Sequence, residues 1–503
     1  MISPILPFCP FGIVHISTKC VYFDSLSSEP ATSSSTNGSH TAYPSTGTLF
    51  VCATLGDDLM NALRPSCRIP NLSFTLATLF TLGLCLVTAH GVQAQVSLAW
   101  ANRYDAGAST FASPARIVSD SQGNTYVTGT VNLASPPHSE GLTIKYDPAG
   151  NILWKNWLGG SPHPVQAMNV ALDPNLGNVY VLGNLDLIGP PNPADPEVTL
   201  GRYLSDGTAS FPLYLPGVVA LDFAVGPSGN VYVTGATNTS TANSQARTVG
   251  FNLNGGIVFL GSDPTPVAGF NTPNGIAIDA GENVYVSVGS THFLPTIYKY
   301  DMTGKLLKSF TSDKFGTKNM IRVDAAGNIY IAACYAPGPV AAKFDTNGNE
   351  LWIHNFQATR CFSDMKIDSH GAVILAETIS PTSPNPTVGV VKLDANGIRQ
   401  WENFFNCSEP GNFSQDLAID SSDQIYLLAG TGTGSIAAAA IIKYTADGQQ
   451  LFAQPSPVQT QGPILPYSMV LGPNNRIIVT ASAQNNPIGS SDILTFAYDQ
   501  TTP

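Results

Sequence analysis

An aspartate, a glycine and an asparagine recur together along this chain, in an order that could hold a cation. The segment DSQGNTYVTGTV begins at Asp120 and places Asn124 four residues later, and DAAGNIYIAA repeats the pattern from Asp324. A calcium loop needs about six to eight oxygen ligands, with oxygen-bearing side chains at alternating positions. Asp120 and Asn124 provide too few of them. The glycine, which tolerates a positive φ, and the asparagine after it instead indicate a tight hairpin turn.

Other residue types that carry chemistry show no catalytic or metal-binding spacing. The histidines beyond residue 95 are scattered, without a His-x-x-x-His pair: His138, His163, His292, His354 and His370. The chain has no Gly-x-Ser-x-Gly nucleophile elbow, no Walker loop and no closely spaced acids typical of a glycosidase. We therefore predict no metal, no cofactor and no catalytic residue. Distant carboxylates could still meet in the folded chain, so an enzyme stays open as an alternative.

Composition favours one large all-β domain as the scaffold. The 503 residues include 46 glycines and 38 prolines, only 11% are charged, and short β-branched and aromatic runs are bounded by turn residues. The net charge is −12, and basic residues do not cluster. A nucleic-acid partner is excluded, because phosphate binding requires clustered Lys and Arg.

The turn recurs eight times at intervals of 44 to 54 residues, and these copies position the polar residues. The place of Asn124 is filled successively by Asn178, Asn230, Asn283, Asn328, Ala372, Gln424 and Arg476. A second motif lies between copies, as in IKYDPAGNILW at 144–154 and AKFDTNGNELW at 342–352. Each unit therefore contains four short strands, which is the content of one β-propeller blade.

The two ends of the array predict how the ring closes. The last unit ends in ILTFAYDQTTP, after its third strand, and lacks the strand that carries a tryptophan. The segment VSLAWANRYD supplies Trp100, which resembles Trp154 and Trp401 of the fourth strands. We predict a single eight-bladed propeller of four-stranded antiparallel blades over residues 95–503, in which the N-terminal strand completes the last blade.

The residues before the repeats have a different character. From Met60, Arg64 and Arg68 precede an apolar run, and the small residues needed by a signal peptidase follow at 92–94. We predict a signal peptide that is cleaved after Ala94. The alternative is an uncleaved signal anchor, although the apolar run is short for a membrane span.

These features predict the location of the mature chain. Residues 1–59 are interpreted as a non-native or disordered extension and 60–94 as the signal peptide. The mature protein is expected to be secreted, at the cell surface or in the periplasm, with no membrane span. Its cysteines, Cys334, Cys361 and Cys407, permit one disulfide and one free thiol in an oxidising compartment.

Comparison of the eight units predicts an ion pair within each of six blades. The position of Asp120 is acidic and the position of Lys145 is basic in the same six units, whereas the third and eighth units lack both charges. The predicted pairs are Asp120–Lys145, Asp173–Arg202, Asp279–Lys299, Asp324–Lys343, Asp368–Lys392 and Asp420–Lys443. The two residues belong to strands about 10 Å apart, a gap that a long basic side chain can span.

A second position predicts a ring of polar residues. It lies four residues before each aspartate, where we expect the innermost strand to begin at the loop-rich face. The strongly polar residues at this position are Arg116, Asn169, Asp222, Asp364 and Asp416. They could line the channel mouth and bind a ligand, because loops and strand ends on a rigid scaffold commonly carry function. The alternative is that they cap strand starts and contact water.

The repeat unit, ARIVSDSQGNTYVTGTVN followed by LTIKYDPAGNILWKNWLGG, resembles the SBBP family of bacterial β-propeller repeats. The resemblance covers residues 96–503 and implies an exported propeller without an assigned activity, although eight units exceed the seven of the family name. A weaker resemblance, from Asp345 to Trp352 and from Asp394 to Trp401, is to eight-bladed quinoprotein propellers. The adjacent cysteines that this family places near its quinone are missing here.

Two functional hypotheses from different classes follow. The first is an exported, non-catalytic binding or surface-interaction scaffold, whose loop-rich face takes an unknown extracellular ligand, protein or glycan. The second is an extracellular lyase or hydrolase acting on a carbohydrate or another polymer at the channel mouth. A quinone-dependent dehydrogenase is a remote third alternative.

Overall fold

The computed structural model describes residues 96–500, with gaps in the loops. The residues not described within this range are 106, 108–109, 135–136, 160–163, 186–195, 217, 238–242, 263–268, 291–293, 313–318, 334–338, 357–359, 380–386, 406–411, 433–436, 458–461 and 485–489. The expected extension over 1–59 and signal peptide over 60–94 lie outside the described residues. Within the described part, no helix has the length and hydropathy that a membrane crossing requires.

The described chain forms thirty-two strands, and a 3-10 turn at Pro473–Asn475 precedes β31. The first strand is β1 (Val96–Tyr104). Blades 1 and 2 comprise β2 (Phe111–Ser119), β3 (Thr125–Ala134), β4 (Pro137–Tyr146), β5 (Ile152–Leu158), β6 (Val165–Leu172), β7 (Val179–Leu185), β8 (Pro196–Tyr203) and β9 (Ala209–Pro216). Blades 3 and 4 comprise β10 (Val219–Val225), β11 (Val231–Thr237), β12 (Asn243–Phe251), β13 (Ile257–Ser262), β14 (Gly269–Ile278), β15 (Val284–Ser290), β16 (Thr296–Tyr300) and β17 (Leu306–Thr311).

The second half of the chain continues this arrangement. Blades 5 and 6 comprise β18 (Asn319–Val323), β19 (Ile329–Ala333), β20 (Val340–Phe344), β21 (Glu350–Asn355), β22 (Arg360–Ile367), β23 (Val373–Ile379), β24 (Thr387–Leu393) and β25 (Arg399–Phe405). Blades 7 and 8 comprise β26 (Phe413–Ile419), β27 (Ile425–Thr431), β28 (Ala438–Tyr444), β29 (Gln450–Pro455), β30 (Ile464–Leu471), β31 (Ile477–Gln484) and β32 (Ser491–Gln500). Neighbouring strands within each blade are antiparallel, so the fold is an eight-bladed β-propeller.

Blade 8 is completed by β1, the first described strand of the chain. It pairs antiparallel with β32, from Val96 opposite Gln500 to Tyr104 opposite Ile493. Arg103 Nε also contacts Asp492 Oδ2 at 2.6 Å across this pairing. The predicted ring closure is confirmed, and the pairing covers the edge that β32 would otherwise expose.

The hydrophobic core lies between the blades. Eight buried clusters each combine side chains of two adjacent blades. In one of them, Leu182 of blade 2 packs with Phe223 of blade 3. In the closing cluster, Val127 of blade 1 packs with Ile478 of blade 8. The middle strands are apolar on both faces, as in the fully buried β19, because each blade has a neighbour on either side.

Cys361 is disulfide-bonded. The chain therefore forms a disulfide, which the sequence analysis allowed for.

Candidate functional site

The recurrent hairpin uses its aspartate to hold the turn. Asp120 Oδ1 accepts the backbone N–H groups of Gln122 and Asn124 at 2.9 Å. Asp120 Oδ2 accepts hydrogen bonds from Asn124 Nδ2 at 2.8 Å and from the hydroxyl of Tyr126 at 3.0 Å. Gly123 has a φ of 84°, which a glycine adopts easily. Both carboxylate oxygens are therefore used by the protein itself.

A tyrosine separates the aspartate from the lysine in most of the predicted ion pairs. Tyr126 is directly opposite Lys145 in the sheet, and Lys145 Nζ lies 5.1 Å from its ring centroid. The lysines of blades 4, 5 and 7 lie 4.8 to 5.1 Å from the corresponding rings: Lys299 over Tyr285, Lys343 over Tyr330 and Lys443 over Tyr426. The predicted contact is corrected for these four described blades: the tyrosine on the intervening strand fills the gap and donates to Asp120, Asp279, Asp324 or Asp420.

The basic side chains also reach into the next blade. Lys145 Nζ donates to the backbone oxygen of Ser205 at 2.7 Å, and Lys299 Nζ donates to Thr346 Oγ1 at 2.6 Å. In blade 7, Lys443 Nζ donates to Gln500 Oε1 at 2.6 Å. Burial lowers the pKa of Lys145 and of Lys443, while the charges of Asp120 and Asp420 oppose this effect. The charges therefore attract each other while the lysines join adjacent blades.

Blades 2, 3, 6 and 8 differ from the arrangement of aspartate, tyrosine and lysine described above. In blade 6, Ile374 replaces the tyrosine, and Lys392 Nζ lies 2.9 Å from Asp368 Oδ2, so the predicted ion pair is present there. In blade 2, Arg202 Nη1 donates to the backbone oxygen of Leu253, and Asp173 accepts from Asn178 Nδ2 at 3.2 Å. Blades 3 and 8 do not carry the residues of the predicted pair. In blade 3, the Tyr232 hydroxyl donates instead to Glu282 of blade 4. In blade 8, Arg476 forms an ion pair with Asp499.

The predicted polar ring lies inside the central channel. Arg116, Asn169, Asp222, Asp364 and Asp416 all line one cavity of about 680 Å³. They occupy the middle of the innermost strands, which corrects the expected place at the strand starts. A β-bulge precedes this position in seven of the eight described innermost strands, at Arg116, Asn169, Asp222, Gly275, Asp364, Asp416 and Ser468. Bulges re-aim side chains, and alternation alone does not reveal them.

The three channel carboxylates join adjacent innermost strands. Each one accepts the backbone N–H of its own following residue through Oδ1, and an N–H of the next blade through Oδ2. The donors are Phe223 and Ile276 for Asp222, Met365 and Leu417 for Asp364, and Leu417 and Met469 for Asp416, at 2.8 to 3.3 Å. Asn169 extends the series by donating to Asp222 Oδ1 at 3.3 Å. These bonds satisfy buried backbone donors that would otherwise be costly.

Three basic side chains cover the buried carboxylates. Arg322 Nη2 lies 3.1 Å from Asp364 Oδ1, and Lys366 Nζ lies 2.5 Å from Asp364 Oδ2. Arg116 Nη1 lies 3.9 Å from Asp416 Oδ2. The side chains of Arg116, Arg322 and Lys366 are 51%, 40% and 35% exposed, whereas Asp364 and Asp416 are at most 8% exposed. The cationic side chains are therefore far more exposed than the two carboxylates that they contact.

Sequence reasoning missed Arg322 and Lys366. They lie two residues before the turn aspartates of blades 5 and 6. At the equivalent position the other six units carry only Val or Ala: Val118, Ala171, Ala224, Ala277, Ala418 and Val470. The contrast between two long basic side chains and six small apolar ones at this repeat position was the signal in the sequence that could have identified Arg322 and Lys366.

The protonation of the channel acids differs between neighbours. Burial and the charge of Asp364 raise the pKa of Asp416 to about 6. Burial alone would raise the pKa of Asp364, but the charges of Lys366 and Arg322 outweigh it and hold that pKa well below its usual range. Burial also raises the pKa of Asp222. Near pH 6 the channel therefore changes its charge at Asp416.

Comparisons with known proteins give neither a family nor an activity for this chain. No protein-family model and no curated protein matches the chain. Among solved structures it is similar to the Dos1 propeller, with a TM-score of 0.49 and 7% identity over 79% of this chain and 95% of that one. Puromycin hydrolase has a TM-score of 0.43 and 10% identity over 74% of this chain and 58% of that one. A Bacteroides caccae protein of unknown function has a TM-score of 0.34 and 12% identity over 52% and 90%. At these values the likenesses carry no argument about activity.

Proposed function

We propose that this protein is an exported, non-catalytic binding propeller, and that its central channel binds an anionic group of the ligand, such as a sulfate or carboxylate. The observation that carries the proposal is the exposure of Arg116, Arg322 and Lys366 above carboxylates that are almost fully buried. Guanidinium and ammonium groups in a concave, partly desolvated site favour anions. Our proposal therefore moves the binding site from the loop-rich face to a deeper position in the channel.

The same carboxylates argue against the hydrolase or lyase alternative. A general acid or base must reach the proton that it transfers. Asp364 and Asp416 each accept backbone hydrogen bonds from two blades, and Asp364 also contacts Arg322 and Lys366. Their oxygens support the ring of innermost strands, so we assign these residues a structural role.

Two further observations support export. Cys361 is disulfide-bonded, and disulfides persist mainly in oxidising compartments. The segment from Met60 to Ala94 also has the order of features found in a signal peptide. The resemblance of the repeats to the SBBP family is part of this proposal, since that family implies an exported propeller and no catalytic residues.

Sulfate titration tests the channel, because the charge of sulfate is constant near neutral pH. We expect Arg116→Gln/Arg322→Gln to weaken sulfate binding, measured by calorimetry at low salt, about tenfold or more through the loss of charge-assisted hydrogen bonds. Arg399→Gln is the matched control, because Arg399 is half exposed on the outer strand β25. Equal binding by the double variant and the wild type would refute the proposal, as would release of products from a polysaccharide.

The pKa of Asp416 adds a pH dependence to sulfate binding. As the pH falls from 7 to 5, the Asp416 carboxylate takes up a proton because its pKa is about 6, and the channel loses one negative charge. Sulfate affinity should therefore rise over this interval. The rise should be smaller in Asp416→Asn, whose side chain does not titrate. A wild-type affinity that is flat or falls toward pH 5 would contradict the assignment.

A further inference from the structure

One side of the central channel presents apolar side chains to the cavity. Met168 of blade 2, Leu221 of blade 3 and Met320 of blade 5 line the same space as Arg116, Arg322 and Lys366. Leu221 is 41% exposed, and both methionines are partly exposed. We call Met168, Leu221 and Met320 the apolar wall of the channel. The cavity therefore combines exposed cations with exposed hydrocarbon and thioether surface.

Two side chains of the apolar wall face the cavity because of β-bulges. Met168 and Leu221 are the extra residues of the bulges in β6 and β10, and the neighbouring strands place no residue opposite them. An extra residue interrupts the alternation of a strand and re-aims its side chains. Leu221 and Asp222 therefore both line the channel although they are adjacent in sequence. The bulge thereby exposes a large apolar side chain to the water of the channel.

The two polar ring residues on this side already have hydrogen bonds within the protein. Asp222 Oδ1 accepts the backbone N–H of Phe223 at 2.9 Å, and its Oδ2 accepts that of Ile276 at 3.3 Å. Asn169 Oδ1 accepts the N–H of Val170 at 2.9 Å, and its Nδ2 donates to Asp222 Oδ1 at 3.3 Å. A ligand group on this side therefore meets the apolar wall beside polar atoms that are already in use.

The apolar wall and two of the cations lie at different depths of the channel. Met168 and Leu221 are five residues before the turn position of their blades, whereas Arg322 and Lys366 are two residues before it. A strand rises about 3.3 Å per residue, so these levels are roughly 10 Å apart along the innermost strands. Met320 lies between them, four residues before its turn aspartate. A ligand that reaches both levels needs a charged end and an apolar body.

We propose that the anion bound in the channel is an amphipathic carboxylate, whose short aliphatic chain packs against the apolar wall. This inference rests on the proposed function, because Arg116, Arg322 and Lys366 are the groups that hold the carboxylate. The chain would remove the surface of Leu221 from water, and methionine side chains adapt to apolar ligands of different shapes. The volume of about 680 Å³ lies in the range of cavities that bind small molecules.

A hydroxylated anion, such as a sugar acid, fits the same cavity less well. Its hydroxyl groups would exchange water for Leu221 and Met320, whose side chains contain no hydrogen-bond donor, and a polar group that loses its hydrogen bonds is costly to bury. An inorganic anion would contact the cations alone and leave Leu221 exposed to water. An aliphatic carboxylate is the ligand that uses both kinds of surface.

A series of carboxylates with the same charge tests the chain. In calorimetric competition with sulfate at pH 7, we expect the affinity of the full chain to rise from acetate through butyrate to hexanoate. Complete burial is worth about threefold per methylene, so a partly buried chain should gain at least about tenfold over the series. Gluconate is the matched probe, because it has the carbon number of hexanoate but a hydroxyl group on every carbon except the carboxylate. It should bind no more tightly than acetate.

Substitution of the apolar wall tests its location. Leu221→Gln should lower the ratio of hexanoate to acetate affinity at least about threefold, because the chain then meets a polar side chain. Leu260→Gln is the matched control, since Leu260 is 56% exposed on the outermost strand β13, and it should leave the ratio unchanged. Met168→Gln provides the same test if Leu221→Gln does not fold.

The results separate this inference from the proposed function. Equal affinities for acetate and hexanoate, tighter binding of gluconate than of hexanoate, or an unchanged ratio in Leu221→Gln would overturn the inference. If sulfate still binds to the wild type in these cases, the proposed anion site stands. Failure of the wild type to bind sulfate and every carboxylate would refute both. Hexanoate binding that is as tight in Arg116→Gln/Arg322→Gln as in the wild type would also overturn the inference, because the chain would then bind outside the channel.

Discussion

At the scale of single residues, the turn aspartate and the tyrosine of the next strand act as a unit. Tyr330 is fully buried, and its hydroxyl donates to Asp324. Burial raises the pKa of Tyr330, and the charge of Asp324 raises it further, so the phenol remains a donor. The hydroxyl of Tyr444 is equally buried but has no hydrogen-bond partner among the described residues. Substitution of these two tyrosines therefore distinguishes the contribution of the hydrogen bond to stability from that of ring packing.

We predict that Tyr330→Phe lowers the free energy of unfolding by about 1 to 2 kcal/mol, because the half-buried carboxylate of Asp324 loses a donor. Tyr444→Phe should be neutral or slightly stabilising, since it removes a buried hydroxyl without a partner. Denaturant unfolding of both variants against the wild type measures the difference. Equal effects of the two substitutions would show that the hydroxyl of Tyr330 contributes nothing.

The repeats predicted the residues of these contacts better than the contacts themselves. Because Asp120 and Lys145 vary together across eight units, their coupling was visible in the sequence. The role of Tyr126 was not, since a tyrosine in a strand is also explained by β propensity alone. Likewise, the channel position of Asp364 followed from the repeat spacing. Its backbone bonds across blades depend on β-bulges, which alternation along one strand does not indicate.

At the scale of the elements, a tryptophan on the outermost strand fits against a glycine of the next blade. Trp352 of β21 donates from Nε1 to the backbone oxygen of Ala395 at 2.9 Å. A Cβ placed on Gly397 would lie 2.5 Å from the Trp352 ring, and Gly397 has a φ of 78°. Trp154 and Trp401 meet Gly207 and Gly448 in the same way. The second turn of each such blade is therefore shaped by the tryptophan of the blade before it.

This docking predicts different costs for two glycines with positive φ. Gly397→Ala should destabilise the fold by about 2 to 4 kcal/mol, because the left-handed backbone and the overlap with Trp352 both contribute. Gly177 is the control, because its φ is 65° and a Cβ added there would meet no atom within 4 Å. Gly177→Ala should cost only about 1 kcal/mol. Thermal unfolding of both variants checks the difference, and similar costs would exclude a docking role for Trp352.

At the scale of the whole molecule, stability depends on a closed ring. Each of the eight apolar clusters needs two blades, so no blade buries its apolar faces alone. The closing blade takes three strands from one end of the propeller and β1 from the other. Trp100 of β1 also packs in the cluster between blades 8 and 1, and Gly150 fits against its ring. Strand β1 thus completes both the sheet of blade 8 and the packing between blades 8 and 1.

We predict that a chain starting at residue 105 folds much less stably than one starting at residue 96. Removing β1 exposes the edge of β32 from Ile493 to Gln500 and breaks the contact between Arg103 and Asp492. The shortened chain should lose its cooperative thermal transition or aggregate through this edge. A synthetic peptide of residues 96–104 should restore the transition when added in excess, whereas a peptide with the same composition in scrambled order should not. If the two chains unfold at the same temperature, β1 pairing contributes nothing to closure, and the remaining blades must hold the ring by their apolar contacts alone.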